Sequence, residues 1–350
     1  MQKKVLLAMS GGVDSSTAAL LLQKQGYDVS GMMLRLWSSE DVPLYEAAGE
    51  IDAAHVCKTL DIPFYVGDYR KEFKKEVIDR FIYAYENGET PNPCVLCNRH
   101  VKFDFMLREA DRLGIEKIAT GHYAKVEYDA SRSRYIVRKG VDLKKDQSYM
   151  LVKLTQDQLS RTVFPLGDLT KDEIRTIAEE KRLVSAHKKD SQDICFIPDG
   201  DYASFIISET QKNYENGDFV DINGNILGKH QGLIRYTTGQ RKGLGIALGA
   251  PMYVISKDVT QNRVILGTNE QLFESECTVT DVNAVSAESF DVPMRAEVKV
   301  RYSHASSPAW LYPENGKIRV VFDTPQRAIT RGQTAAFYDG DILLGGGKIE

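Results

Sequence analysis

The sequence predicts an α/β protein in three parts: a Rossmann-like N-terminal domain with a parallel sheet, a small mostly β middle domain and a C-terminal β-barrel. Three observations carry this expectation. Apolar runs of strand length alternate with helical periodicity over roughly the first 120 residues. A glycine turn joins the first strand to the first helix at residues 9–16. Past residue 217 the texture changes to short β runs broken by Gly, Asn and Asp.

The first strand is the apolar run Val5-Leu6-Leu7-Ala8, and residues 15–25 follow as a helix stopped by Gly26. Strands are predicted next at 28–34, 64–66 and 118–120, with helices at 45–60, 73–85 and 103–113 between them. Strands separated by helices pair in parallel and place ligands at their carboxyl ends. The loop after the first strand and Gly121-His122-Tyr123 should therefore face one crevice. A polar hairpin at 124–138 and two helices opening on capping boxes, Thr155 with Gln158 and Thr170 with Glu173, form a helical appendage to this domain. The middle domain collects β runs at 219–222, 232–236, 252–256 and 264–266. After Cys277 the alternation is cleaner, at 295–301, 317–322 and 334–338, and Asp339-Gly340 turns the last hairpin. The expected domains are 1–205, 206–275 and 276–350.

A chain of 350 residues with 42% hydrophobic content is ample for two or three cores. Its formal net charge of −4 excludes nucleic-acid binding by bulk charge, so any RNA contact has to come from local basic patches. Residues 131–153 offer one, with seven Lys or Arg (132, 134, 138, 139, 144, 145 and 153) against two acids. Residues 1–30 lack a signal-peptide layout and no apolar stretch approaches ~20 residues, so a cytoplasmic address is expected. Five cysteines (57, 94, 97, 195 and 277) in so long a chain point to chemistry or metal rather than a disulfide scaffold.

Three segments carry chemistry. In Ser10-Gly11-Gly12-Val13-Asp14-Ser15 the glycines admit an anion close to the backbone, and hydroxyls and helix N-terminal amides supply donors. The segment lacks the lysine of the Walker loop, so it is not built for γ-phosphoryl transfer. The second segment is the C-x-x-C of Asn92-Pro93-Cys94-Val95-Leu96-Cys97, whose thiols can share a metal, form a disulfide or resolve a persulfide. A zinc site would need a second ligand pair, and the other cysteines and the six histidines are scattered. In the third, residues 188–197, Cys195 follows Lys188 and Lys189, which would lower its pKa; a buried structural cysteine is the competing reading.

Ser10–Ser15 resembles the pyrophosphate loop of the ATP-pyrophosphatase superfamily, with its adenine nucleotide alpha hydrolase type of fold. Taken with Pro91–Asn98, Ala119–Tyr123, Lys145–Tyr149, Asp190–Phe196, Gly239–Gly245 and Leu344–Gly347, in that order over nearly the whole chain, it resembles the bacterial tRNA-specific 2-thiouridylases. That resemblance implies adenylation of O2 of the anticodon wobble uridine by ATP with Mg2+, release of pyrophosphate, and displacement of AMP by sulfur. It implies ATP contacts at Ala8, Met9, Ser10, Gly11, Gly12, Val13, Asp14, Ser15, Leu34 and Gly121. It implies a Cys195 persulfide, charged by a cysteine desulfurase or relay protein, with Cys97 as its partner thiol and a disulfide between them at some stage. It implies tRNA contacts at Asn92, Pro93, Cys94, His122, Lys145, Asp146, Gln147, Arg301, Tyr302 and Gln333. Part of the family has Asp where Cys94 stands, so Cys94 does not inherit an acid/base role. Three thiols also allow another route, a [4Fe–4S] cluster on Cys94, Cys97 and Cys195 that carries sulfide on its open iron. An amidating ligase of the same superfamily would explain the loop but leave the thiols without a task. In a nucleotide-gated RNA-binding protein with no catalysis the thiols would be incidental.

Overall fold

The computed structural model describes residues 3–37, 43–186, 188, 194–247 and 249–350. Strands β1 (Lys4–Ala8), β2 (Asp28–Arg35), β3 (Phe64–Asp68) and β4 (Lys117–Ala119) are separated by helices, then β5 (Ala124–Asp129) and β6 (Arg134–Lys139) form a hairpin before the short β7 (Thr162–Val163). The first sheet has the order β3-β2-β1-β4-β7 and every pairing in it is parallel. The order reverses between β1 and β4, and a crevice opens at their carboxyl ends, as the alternation predicts. Val5 and Leu7 pack to one side of this sheet and Leu6 to the other, which is why β1 is apolar throughout. Both predicted capping boxes are present, at Thr155 and Thr170.

The middle domain is a sheet of β8 (Gly217–Val220), β9 (Ile226–His230), β10 (Tyr253–Asp258) and β11 (Arg263–Gly267) in the order β10-β11-β8-β9. The run expected as β at 232–236 is instead a 3-10 turn, Leu233–Arg235, entered through Gly232 at φ +97. The boundary expected at 205 falls inside the helix Tyr202–Thr210, whose Ala203 and Ile206 pack with Phe81 and Phe196 of the first domain.

The third part is a closed antiparallel barrel of β12 (Phe273–Ala284), β13 (Met294–Lys299), β14 (Ser307–Glu314), β15 (Lys317–Arg327), β16 (Thr334–Asp339) and β17 (Ile342–Ile349). Its order is β12-β15-β14-β13-β16-β17, and β12 pairs with β17 to close it. The hairpin expected as part of a helical appendage joins this barrel instead, β6 pairing with β17. Much of the basic segment 131–153 is spent there. Arg138 pairs with Glu127 and Asp341, Arg132 with Asp129, Lys153 with Asp281, and Arg134 and Lys139 donate to the carbonyls of Ala284 and Gly340. Beneath these contacts Val137, Tyr149, Val285, Tyr338 and Leu343 share one core with Leu6 and Phe103. No helix among the described residues is long and apolar enough to cross a membrane.

Candidate active site

β1 ends at Ala8 and Gly12 caps the helix Val13–Lys24. Between them Gly11 lies at φ +72, and a Cβ there would stand 2.3 Å from the carbonyl oxygen of Gly49, so only glycine fits. Ser15 and Ser16 donate their hydroxyls to the Gly12 carbonyl at 3.2 and 2.8 Å, and the Ser10 amide donates to Ser15 Oγ at 3.2 Å. The turn is thus built in advance, with first-turn amides that have no intrahelical partner facing the crevice. Asp14 Oδ1 accepts from the Tyr123 hydroxyl at 2.6 Å and from the buried Lys171 Nζ at 2.7 Å. Gly121, beyond β4, rests on the same loop: a Cβ there would lie 3.2 Å from the Ser15 amide nitrogen. Leu34, near the end of β2, packs against both the core that holds Leu6 and Phe103 and the cluster that holds Cys97. His122 Nδ1 is 2.7 Å from Thr120 Oγ1, and its ring lies 5.9 Å from both Phe103 and Phe164. Burial, reinforced by Lys102, lowers its pKa to about 3, so the imidazole is neutral at pH 7.

The C-x-x-C sits on a short helix, Pro93–Cys97, with Pro93 in its first turn and Asn92 Oδ1 accepting the Cys94 amide at 3.1 Å. This helix runs on into a π-helical turn, Asn98–Lys102, a geometry that recurs at functional sites. The loop before it is held by the barrel. The Thr90 amide donates to the Arg331 carbonyl at 2.8 Å, Gln333 Nε2 to the Thr90 carbonyl at 2.7 Å, and Lys348 pairs with Glu89 at 3.1 Å. Cys97 is buried among Phe73, Phe81, Val101 and Phe105, and Phe196 is buried in the same cluster, its ring edge-on to Phe73 and Phe81 at 5.6 and 5.5 Å. Phe196 therefore anchors Cys195 beside a cysteine far away in sequence.

Of the residues expected at tRNA, the Tyr302 ring lies 5.9 Å from Tyr149 and Lys299 Nζ stands 5.3 Å over it, and burial raises the pKa of its phenol. Arg301 donates to the carbonyls of Thr238 and Ala328 and to Thr330 Oγ1. Asp146 is buried, accepting the Gly140 and Ser148 amides at 3.1 Å, and Gln147 Oε1 accepts the Tyr123 amide at 3.0 Å. Arg301, Asp146, Gln147 and Gln333 thus spend polar atoms on holding elements together, while Lys145 is half-buried in the turn before them.

Comparison with known proteins follows this geometry closely. Residues 3–199 match the family described as tRNA methyl transferase HUP domain, 204–268 its PRC-barrel domain, and 274–349 the aminomethyltransferase beta-barrel domain. The chain is 49% identical to the tRNA-specific 2-thiouridylase MnmA of Clostridioides difficile, over 100% of this chain and 99% of that one. It is also 49% identical to its namesake in Acetivibrio thermocellus, with the same coverage. The chain belongs to the tRNA-specific 2-thiouridylase family. Among solved structures, the U34-tRNA thiolase NcsA of Methanococcus maripaludis with its [4Fe-4S] cluster is 21% identical, covers 60% of this chain and 64% of that one, and has a TM-score of 0.36. So slight a likeness says nothing of a cluster here.

The thiols of this 2-thiouridylase family member correct one expectation. Burial raises the pKa of Cys195 and Lys188 pairs with Asp52, while Lys189, the other lysine of that expectation, lies outside the described residues. Burial likewise raises Cys94, and pushes Cys97 up to about 12. The cation that pulls all three back down is Lys102, which also acts on His122. Sequence reasoning missed Lys102, whose one signal was its place on the helical continuation of the C-x-x-C. All three cysteines are free thiols. Among the described residues no group of three or more His, Cys, Asp or Glu is arranged to hold a metal ion, so the thiols as placed do not form a cluster corner.

Proposed function

We propose that this protein is an ATP-dependent tRNA-uridine 2-sulfurtransferase acting in the cytoplasm on the wobble uridine. The observation that carries the reading is the link from the phosphate loop through Gly121 and His122 to Lys102 and the Cys97/Cys195 pair. One end suits an adenylate and pyrophosphate, the other suits thiol exchange.

Uridine C2 resists substitution because its oxygen would leave as an anion. Attack of O2 on the α-phosphorus of ATP expels pyrophosphate into the Ser10–Ser15 loop, and loss of the N3 proton leaves a neutral adenylated base. Asp14 is the loop carboxylate that would meet a magnesium ion on the phosphates, where such an ion neutralises charge. The outer sulfur of a Cys195 persulfide then attacks C2 and AMP departs. Cys97 thiolate next attacks Cys195 Sγ; the bond to the outer sulfur breaks, its electrons form the C2=S group, and a Cys97–Cys195 disulfide remains for an external thiol to reduce. Lys102 favours each thiolate formed on this path. The persulfide comes from a cysteine desulfurase or relay protein. No step is routed through a [4Fe–4S] cluster, because Cys94, Cys97 and Cys195 as placed are not arranged to hold a metal.

Asn92, Pro93, Cys94 and Tyr302 line the proposed base pocket, and His122 and Lys145 lie along the RNA path. Cys94 serves there as a pocket residue rather than as an acid. The test is a reaction of purified protein with an unmodified tRNA transcript, ATP and a persulfide donor. Expected are 2-thiouridine at the wobble position and one AMP and one pyrophosphate for each. AMP release with a nitrogen nucleophile incorporated instead would favour the amidating ligase.

A further inference from the structure

Cys94, Asn98 and Lys102 are spaced four apart on the helix Pro93–Cys97 and the π turn that continues it, and so share one face. Asn98 is only 2% exposed. Its Nδ2 donates to the Met150 carbonyl at 3.0 Å, which settles which end of the amide is which. Its Oδ1 is shielded from water and has no hydrogen-bond donor among the described residues. Buried acceptors are seldom left unpaired, and exceptions call for an explanation. Asn98 also shares a neighbour with the pocket, because Met150 Sδ lies 3.8 Å from the Nδ2 of Asn92, the residue that caps Cys94.

We propose that Asn98 recognises the target pyrimidine, Oδ1 accepting the N3–H of uridine. The inference rests on the thiouridylase reading and adds to it a residue that selects the base. Uridine presents one ring N–H between two carbonyls, and a fixed carbonyl acceptor is its complement. Cytidine has a lone pair at N3 and would meet Oδ1 acceptor to acceptor. As O2 attacks the α-phosphorus, positive charge builds over O2, C2 and N3, so N3–H becomes a stronger donor. The bond therefore strengthens in the transition state and assists adenylation as well as binding. The base reaches Oδ1 only by leaving its stack and opening this helix face.

The test is single-turnover AMP formation by the full-length enzyme on tRNA carrying uridine or 3-deazauridine, which has C–H in place of N3–H, at the wobble position. Wild-type enzyme should be slowed by about 10- to 100-fold on 3-deazauridine. Asn98→Ala should lose a comparable factor on uridine, with tRNA affinity within about twofold of wild type, and should lose nothing further on 3-deazauridine. Asn98→Asp, which keeps an acceptor oxygen, should retain the preference for uridine. Equal wild-type rates on the two bases would overturn the proposal without any variant having to fold. So would losses from Asn98→Ala and from 3-deazauridine that simply multiply. Failure of the wild type on uridine itself would overturn the thiouridylase reading, and the role of Asn98 with it.

Discussion

At the residue scale the chemistry turns on thiols that are protonated at rest. Burial pushes the Cys97 thiol up to about 12, so it is protonated at pH 7. Cys195 is exposed, and its pKa is raised by burial around the sulfur and lowered by Lys102. Its alkylation by iodoacetamide, followed by peptide mass spectrometry, should therefore climb about tenfold per pH unit from pH 7 upward. Lys102→Met removes the cation that favours thiolate, so alkylation should be slower at every pH in that range. An unchanged profile would remove Lys102 from the account. Cys97→Ser and Cys195→Ser should each abolish 2-thiouridine formation while leaving release of pyrophosphate from ATP and tRNA intact. At the loop, Gly11→Ala forces a Cβ against the Gly49 carbonyl in a left-handed conformation, and ATP binding measured by calorimetry should be lost.

At the scale of elements, the strand–glycine turn–helix of residues 4–24 was legible because each local preference agrees with the fold. Both capping boxes were legible for the same reason. Strand β14 was not: it carries Pro308 and Pro313, which demote a run of residues as a strand. The long β12 is polar and mostly exposed or half-buried in its first half, so no apolar alternation announces it. The basic segment shows the limit of counting charges. Charge density alone does not tell an RNA-facing patch from a set of ion pairs, and Arg138 and Lys153 find their carboxylates on residues far away in sequence, Asp341 and Asp281. Lys102 was missed because a lysine in a helix reads as a solvated one until the chain folds around it. The clamp on the C-x-x-C loop gives a further expectation. Gln333→Ala removes the bond to the Thr90 carbonyl and should cost about 1 kcal/mol of stability by denaturant unfolding. Thiolation should fall more than tRNA affinity does, because the variant loosens the cysteine helix rather than the RNA surface.

For the whole molecule, the barrel and the nucleotide domain are one structure. Tyr338 and Leu343 lie in the core that holds Leu6 and Phe103, and the hairpin β5–β6 extends the barrel sheet. Truncation after residue 272 should expose that core and leave a fragment that aggregates or unfolds without a cooperative transition, as read by calorimetry. A fragment that melts cooperatively near the full-length midpoint would show the joint to be dispensable. The central claim is that sulfur travels as a Cys195 persulfide to an adenylated uridine. Its most direct test is single-turnover thiolation of an unmodified tRNA transcript with ATP by anaerobic, metal-free protein whose Cys195 carries ³⁵S-persulfide. The account predicts labelled 2-thiouridine without added iron, together with a Cys97–Cys195 disulfide. Label that stays on the protein, with product only after cluster reconstitution and added sulfide, would contradict it.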